Sequence, residues 1–182
     1  MSDSDGKILD AFGAWLSSLG RDALQLGGLL GSDADGERLD EAARKAAAGG
    51  LNYLFKSLDL IPDGIDDIGY LDDAFVLRVA AAQAVEVGAA GHKAVAQLAS
   101  ENEVVREFLG DTYARLDRYV TGLRSGAARG RTVQDILGTE KVLAEFLDDV
   151  KGFAATYKAP SFSRDPKNLI KLRAFFDAKL PK

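Results

Sequence analysis

Six aspartates stand within the fifteen residues 59–73, DLIPDGIDDIGYLDD, with no basic residue among them. Carboxylates so spaced can do three things. Hard cations such as Mg²⁺ and Ca²⁺ take carboxylate and carbonyl oxygens, and a turn between two helices could converge Asp59, Asp63, Asp67, Asp72 and Asp73 on one point. The full set, Asp59, Asp63, Asp66, Asp67, Asp72 and Asp73, could instead offer a negative surface to the cations of a protein partner or of this chain's own tail. The third use is structural. Aspartate caps helices, and near a helix N-terminus each carboxylate gains about 0.3–1 kcal/mol from the backbone dipole. Capping accounts for most of the six charges if 65–69 is a helical turn and a longer helix begins near Leu71. The calcium-loop pattern D-x-[DN]-x-[DN]-G is absent.

The elements that must hold these residues are helical. Ile61-Pro62-Asp63-Gly64 has the residue order of a type I turn, so the chain reverses there. Before it, apolar residues at three- and four-residue spacing predict helices over 6–19, stopped at Gly20, over 21–30, and over 37–48, ended by Gly49 and Gly50, with two further turns over 51–58. The stretch 32–36 is a polar break. After the turn, 71–89 reads as a helix of small apolar residues with Arg78, Gln83 and Glu86 on its wet side. A short helix over 92–99 precedes one that Ser100 caps and that continues to 123. Residues 122–130 form a loop; Thr132 and Thr139 start the next two helices, the second reaching 157. Asp165-Pro166 opens the last one, which ends near 179. No two-residue alternation marks a strand, and Tyr70 and Pro62 are architectural.

The run YLFKSLDLIPDGIDDIGYLDDAFVL resembles the signature of the YkvA family of bacterial proteins, a domain of unknown function. That pattern reads approximately Y-L-x-S-P-x-D-L-I-P-D-x-I-P-x-x-G-Y-L-D-D. Asp59, Leu60, Ile61, Pro62, Asp63, Ile65, Gly69, Tyr70, Leu71, Asp72 and Asp73 match it. The resemblance covers 51–80, implies an α-helical fold and carries over no catalytic residue. Two prolines of the pattern are missing, one near Ser57 and one replaced by Asp66 beside Asp67, and Gly64 stands where a bulky apolar residue is common. Family members often look membrane-associated here. The added carboxylates oppose that, because lipid burial of unpaired carboxylates costs several kcal/mol.

The C-terminal stretch DPKNLIKLRAFFDAKLPK puts Leu169, Leu172, Phe176 and Leu180 on one stripe, Ile170 and Phe175 beside it, and Lys167, Lys171, Arg173 and Lys179 as its charges. Such a basic amphipathic helix packs on its own domain, pairs with an acidic protein, touches an anionic membrane peripherally, or shields the acidic turn. Residues 1–150 hold 15 basic and 26 acidic side chains, a balance of −11, whereas 151–182 hold 8 basic and 2 acidic, a balance of +6. So acidic a body argues against nucleic acid as a partner.

Cysteine is absent and His92 is the one histidine, which removes disulfides, thiolate metal sites and cysteine nucleophiles. The start, MSDSDGKILD, lacks the basic-then-apolar order of an export signal, so a cytoplasmic location is expected. No nucleophile, phosphate-loop or zinc-helix motif occurs, and no catalytic residue is assigned. The basic loop residues Arg124, Arg129 and Arg131 are a solvated connection or a phosphate contact. Trp15 belongs to the core.

These observations predict one all-α domain, a bundle of about seven to nine helices. Residues 1–160 form its body, with a YkvA-like core at 51–90, and 161–182 add the basic helix, docked on the same domain. The function expected is a non-enzymatic cytoplasmic interaction or scaffold protein that uses the acidic turn and basic tail, with no cofactor. Two alternatives stay open: a divalent-metal module or metal-dependent enzyme holding Mg²⁺ or Ca²⁺ at the aspartates, and peripheral membrane association through the last helix.

Overall fold

The computed structural model describes residues 1–31, 38–57, 59–62, 64, 65 and 68–182. The architecture is an all-α bundle. In chain order the helices are α1 (Asp3–Gly27), α2 (Glu41–Tyr53), α3 (Leu71–Ala84), α4 (Lys93–Leu109), α5 (Tyr113–Gly122), α6 (Val133–Gly138), α7 (Glu140–Thr156) and α8 (Lys167–Lys179). A two-residue ribbon, β1 (Ala127–Ala128) antiparallel to β2 (Arg131–Thr132), interrupts them.

α3 is the centre. All but one of its fourteen residues are buried, so it needs neighbours on every side. α2, α4 and α1 supply them. Phe75 of α3 joins Phe12 and Trp15 of α1, Phe108 of α4 and Phe176 of α8 in one aromatic cluster, with centroid separations of 5.0–5.9 Å. Each such ring pair adds about 0.5–1.5 kcal/mol beyond its buried area.

The small residues carry the close packing. Gly20 does not stop a helix: α1 runs through it as one unit. A Cβ there would lie 3.3 Å from the backbone of Ala154 on α7. α2 likewise runs through Gly49 and Gly50, and a Cβ on Gly50 would sit 2.4 Å from Ala80 Cβ on α3. Both glycines read as breaks in the sequence are points where helices touch. Two other glycines do mark breaks, and both have positive φ. Gly88 (φ 136°) ends a widened turn, Val85–Ala89, after α3, and Gly110 (φ 54°) separates α4 from α5. The expected junction at Ser100 is therefore absent. Ser100 lies inside α4, with its hydroxyl donating to the Gln97 carbonyl at 2.6 Å.

The wet face assigned to α3 is also corrected. Glu86 is exposed, but Gln83 is buried, and Arg78 is only 1% exposed. Arg78 spans to Asp22 of α1 at 3.0 Å and Glu101 of α4 at 3.1 Å, donates to the Ala74 carbonyl, and lies 4.2 Å over the Trp15 ring. Its charge is neutralised inside the bundle, which is how arginine survives there.

Several expected starts agree with the structure. Thr132 and Thr139 cap α6 and α7 through their hydroxyls, and the Asp165 carboxylate accepts from the Lys167 N–H at 2.9 Å. The expected loop over 122–130 contains instead a hairpin whose two-residue turn, Arg129 (φ 50°) and Gly130 (φ 76°), has the positive dihedrals of a type I′ turn. The polar break at 32–36 lies outside the described residues.

α8 buries Leu169, Leu172, Phe176 and Leu180 against the bundle. Arg173 lies 4.4 Å over the Phe108 ring and donates to the Phe108 carbonyl. Lys167, Lys171 and Lys179 stay exposed.

Candidate metal centre

The acidic segment leaves α2 and returns as α3. Ile65 N–H donates to the Pro62 carbonyl at 3.1 Å and Gly69 N–H to the Ile65 carbonyl at 2.9 Å, so each of these pairs closes a turn. Proline occupies the first position of the opening turn instead of the second. Tyr70 then adopts a left-handed conformation (φ 69°) and α3 begins, with Ala74 N–H bonded to the Tyr70 carbonyl. The Tyr70 ring meets Tyr157 edge-on at 5.3 Å, which pins the turn to α7.

That path places Asp72 and Asp73 in the first turn of α3, where the helix dipole favours negative charge. They do not lie on an open negative surface, as the acidic-face expectation had it: Asp72 is 0% exposed and Asp73 3%. The reason is that α3 is surrounded on every side, its N-terminus included. Asp59, half-buried, comes from the segment just after α2. One carboxylate oxygen from each of Asp59, Asp72 and Asp73 lies within 4.8 Å of the others. Asp63, Asp66 and Asp67 lie outside the described residues.

Tyr53, which the sequence presents as one more apolar member of α2, organises this centre. Its hydroxyl donates to Asp72 Oδ2 at 2.5 Å and accepts the Leu60 N–H at 2.7 Å. Asp72 Oδ2 also accepts the Ile61 N–H at 3.3 Å. Burial first, and then the charges of Asp72 and Asp73, push the Tyr53 phenol far above its ordinary range, so it remains a donor at any physiological pH. Tyr119 of α5 meets the Tyr53 ring edge-on at 6.2 Å. Its own phenol is pushed up to about 12, by burial first and then by Asp72 and Asp59. Two neutral phenols and a helix N-terminus thus surround three clustered carboxylates.

Residues 43–78, from α2 through the acidic turn into α3, match the family model described as Protein of unknown function (DUF1232). The match covers 36 of the 182 residues, and over that stretch the chain is similar to this family. The YkvA resemblance is consistent with that match. Tyr53, Asp59, Asp72 and Asp73 all fall inside the DUF1232 segment, and Tyr119 outside it. No curated protein and no solved structure matches the chain. Among the described residues no helix is long and apolar enough to cross a membrane.

Proposed function

We propose that this protein is a divalent-cation-binding module whose ligands are Asp59, Asp72 and Asp73. A single observation carries the proposal: three carboxylate oxygens within 4.8 Å of one another, two of them from buried side chains. Carboxylates so close repel each other, and a hard cation turns that repulsion into coordination. Ca²⁺ takes such oxygens at ~2.4 Å and Mg²⁺ at ~2.1 Å, and either is a candidate for three carboxylates this close. Tyr53 holds Asp72 in place, the role of an outer residue that orients a ligand.

The test is thermal unfolding of chelator-treated protein with Ca²⁺ or Mg²⁺ added. At a hundredfold excess over the dissociation constant, binding stabilises by about 2.7 kcal/mol, or about 7 °C for a chain of this length. Asp59→Asn should abolish the shift, and no shift with either ion would end the proposal.

A second reading, the interaction protein, is favoured by α8. Ile170 is 67% exposed, between the exposed Lys167 and Lys171. An acidic protein partner would fit that face. Removing the whole helix would uncover Leu169, Leu172 and Phe176, so the proper variant is Lys167→Glu with Ile170→Ser. Loss of captured partner with unchanged melting supports this reading, and capture that is indifferent to the substitutions counts against it. Anionic liposomes serve as the membrane control.

A further inference from the structure

Although the chain carries a net charge of −5, two adjoining grooves on one side contain no side-chain carboxylate among their lining residues. The first, about 350 Å³, has Tyr119, Leu123 and Pro181 as walls and Lys56, Arg118 and Lys182 at its rim. The second, about 450 Å³, shares Lys56 and adds Arg129, whose guanidinium lies 4.8 Å over the Phe55 ring. Lys56 in turn lies 5.8 Å from the Tyr119 ring centre. Among the described residues Lys56, Arg118, Arg129 and Lys182 form no ion pair, while Arg131 is matched to Asp149 at 2.7 Å.

One cation of the first groove is spoken for. Arg115 donates to Asp177 and to the Leu180 and Pro181 carbonyls, which fixes the end of the chain as a wall. The others keep their N–H donors for something else. A monocarboxylate would use one of them, whereas a phosphate monoester, with a charge near −2 and three terminal oxygens, can engage several at once. The apolar walls require that the anion carry an apolar group, and about 350 Å³ is the size of a small-molecule site.

We propose that the first groove binds a small organic phosphate, its phosphate held by Lys56 and Arg118 and its apolar part laid against Tyr119 and Leu123. This binding needs no divalent ion, so it stands or falls separately from the cation site.

The experiment is a titration of the isotopically labelled protein with phenyl phosphate, in low salt with chelator present, followed by amide chemical shifts. The expected result is saturable movement of Gly122, Leu123 and Gly126, at least about tenfold weaker binding by benzoate, and a loss of about tenfold or more in Lys56→Ala/Arg118→Ala. Arg118 is exposed, so Arg118→Ala alone should keep the native melting temperature and still weaken binding severalfold. Unsaturable shifts spread over all surface cations, or affinity unchanged in the double variant, would overturn the proposal. So would sedimentation with phosphatidic-acid vesicles in the absence of saturable phenyl phosphate binding, which would mark the face as a membrane surface.

Discussion

Tyr53→Phe removes one oxygen atom from the centre of the DUF1232 segment and leaves the ring in its place. The hydroxyl serves two buried groups, the Asp72 carboxylate at 2.5 Å and the Leu60 N–H at 2.7 Å. A hydrogen bond to a charged group contributes about 1.5–3 kcal/mol, and a buried N–H left without a partner costs about 1–3 kcal/mol. Together they put the loss at about 3–5 kcal/mol, a large part of the ~5–15 kcal/mol that holds a typical domain folded. For 182 residues, at an unfolding entropy of ~2.1 cal/mol/K per residue, melting should fall by about 8–13 °C. Trp15, the single tryptophan and 4% exposed, reports unfolding by its fluorescence, so a urea titration without divalent ions gives the free energy directly. Adding Asp72→Asn should then cost less in the Tyr53→Phe background than in the native one, because the two groups share one bond. A loss below about 1 kcal/mol, with the two substitutions additive, would refute the claim that this hydroxyl holds the carboxylate.

Other substitutions probe the packing and the buried charges. Asp22→Ala strips Arg78 of its nearest carboxylate inside the bundle and should cost about 3–5 kcal/mol in urea unfolding, whereas replacing the pair by apolar residues of similar volume should cost far less. Gly50→Ala drives a methyl to 2.4 Å from Ala80 Cβ, so α2 and α3 must separate, at about 1–3 kcal/mol and with melting lowered accordingly. The raised Tyr53 phenol favours the folded state while it is protonated. Its contribution is complete below the unfolded value near pH 10 and is lost as pH rises beyond it, at about 1.4 kcal/mol per pH unit. Urea unfolding between pH 9 and 11 should show that decline in the native protein and a shallower one in Tyr53→Phe.

Three helix starts are legible in the sequence, although Ser100, which carries the same kind of signature, lies inside α4. A capping threonine or Asp-Pro acts on its own nearest residues, and so Thr132, Thr139 and Asp165 could be placed without knowing the fold. A glycine is ambiguous. Gly110 breaks a helix, but Gly20 and Gly50 let one pass close to another, and only the neighbour, Ala154 or Ala80, tells which. The same holds for charge. Arg78 looked wet because it is charged, and it is buried because α1 and α4 bring Asp22 and Glu101 to it. At the candidate site, the sequence sets Asp72 and Asp73 in the first turn of a helix, and the structure has them there. Their burial followed from α3 being central, which its nearly uninterrupted run of small and apolar residues could have signalled. The role of Tyr53 could not be read, because a tyrosine in an apolar stripe looks the same whether or not its hydroxyl finds a carboxylate nineteen residues later.

The central claim concerns what the three carboxylates hold, and terbium tests it most directly. Tb³⁺ occupies oxygen-rich calcium sites, and Tyr53 and Tyr119 stand beside this one as absorbers. Excitation of the tyrosines should give sensitised emission that saturates, is displaced by Ca²⁺, and is lost in Asp59→Asn. Emission that never saturates, or that is equally strong without the Asp59 carboxylate, would contradict a cation site at Asp59, Asp72 and Asp73.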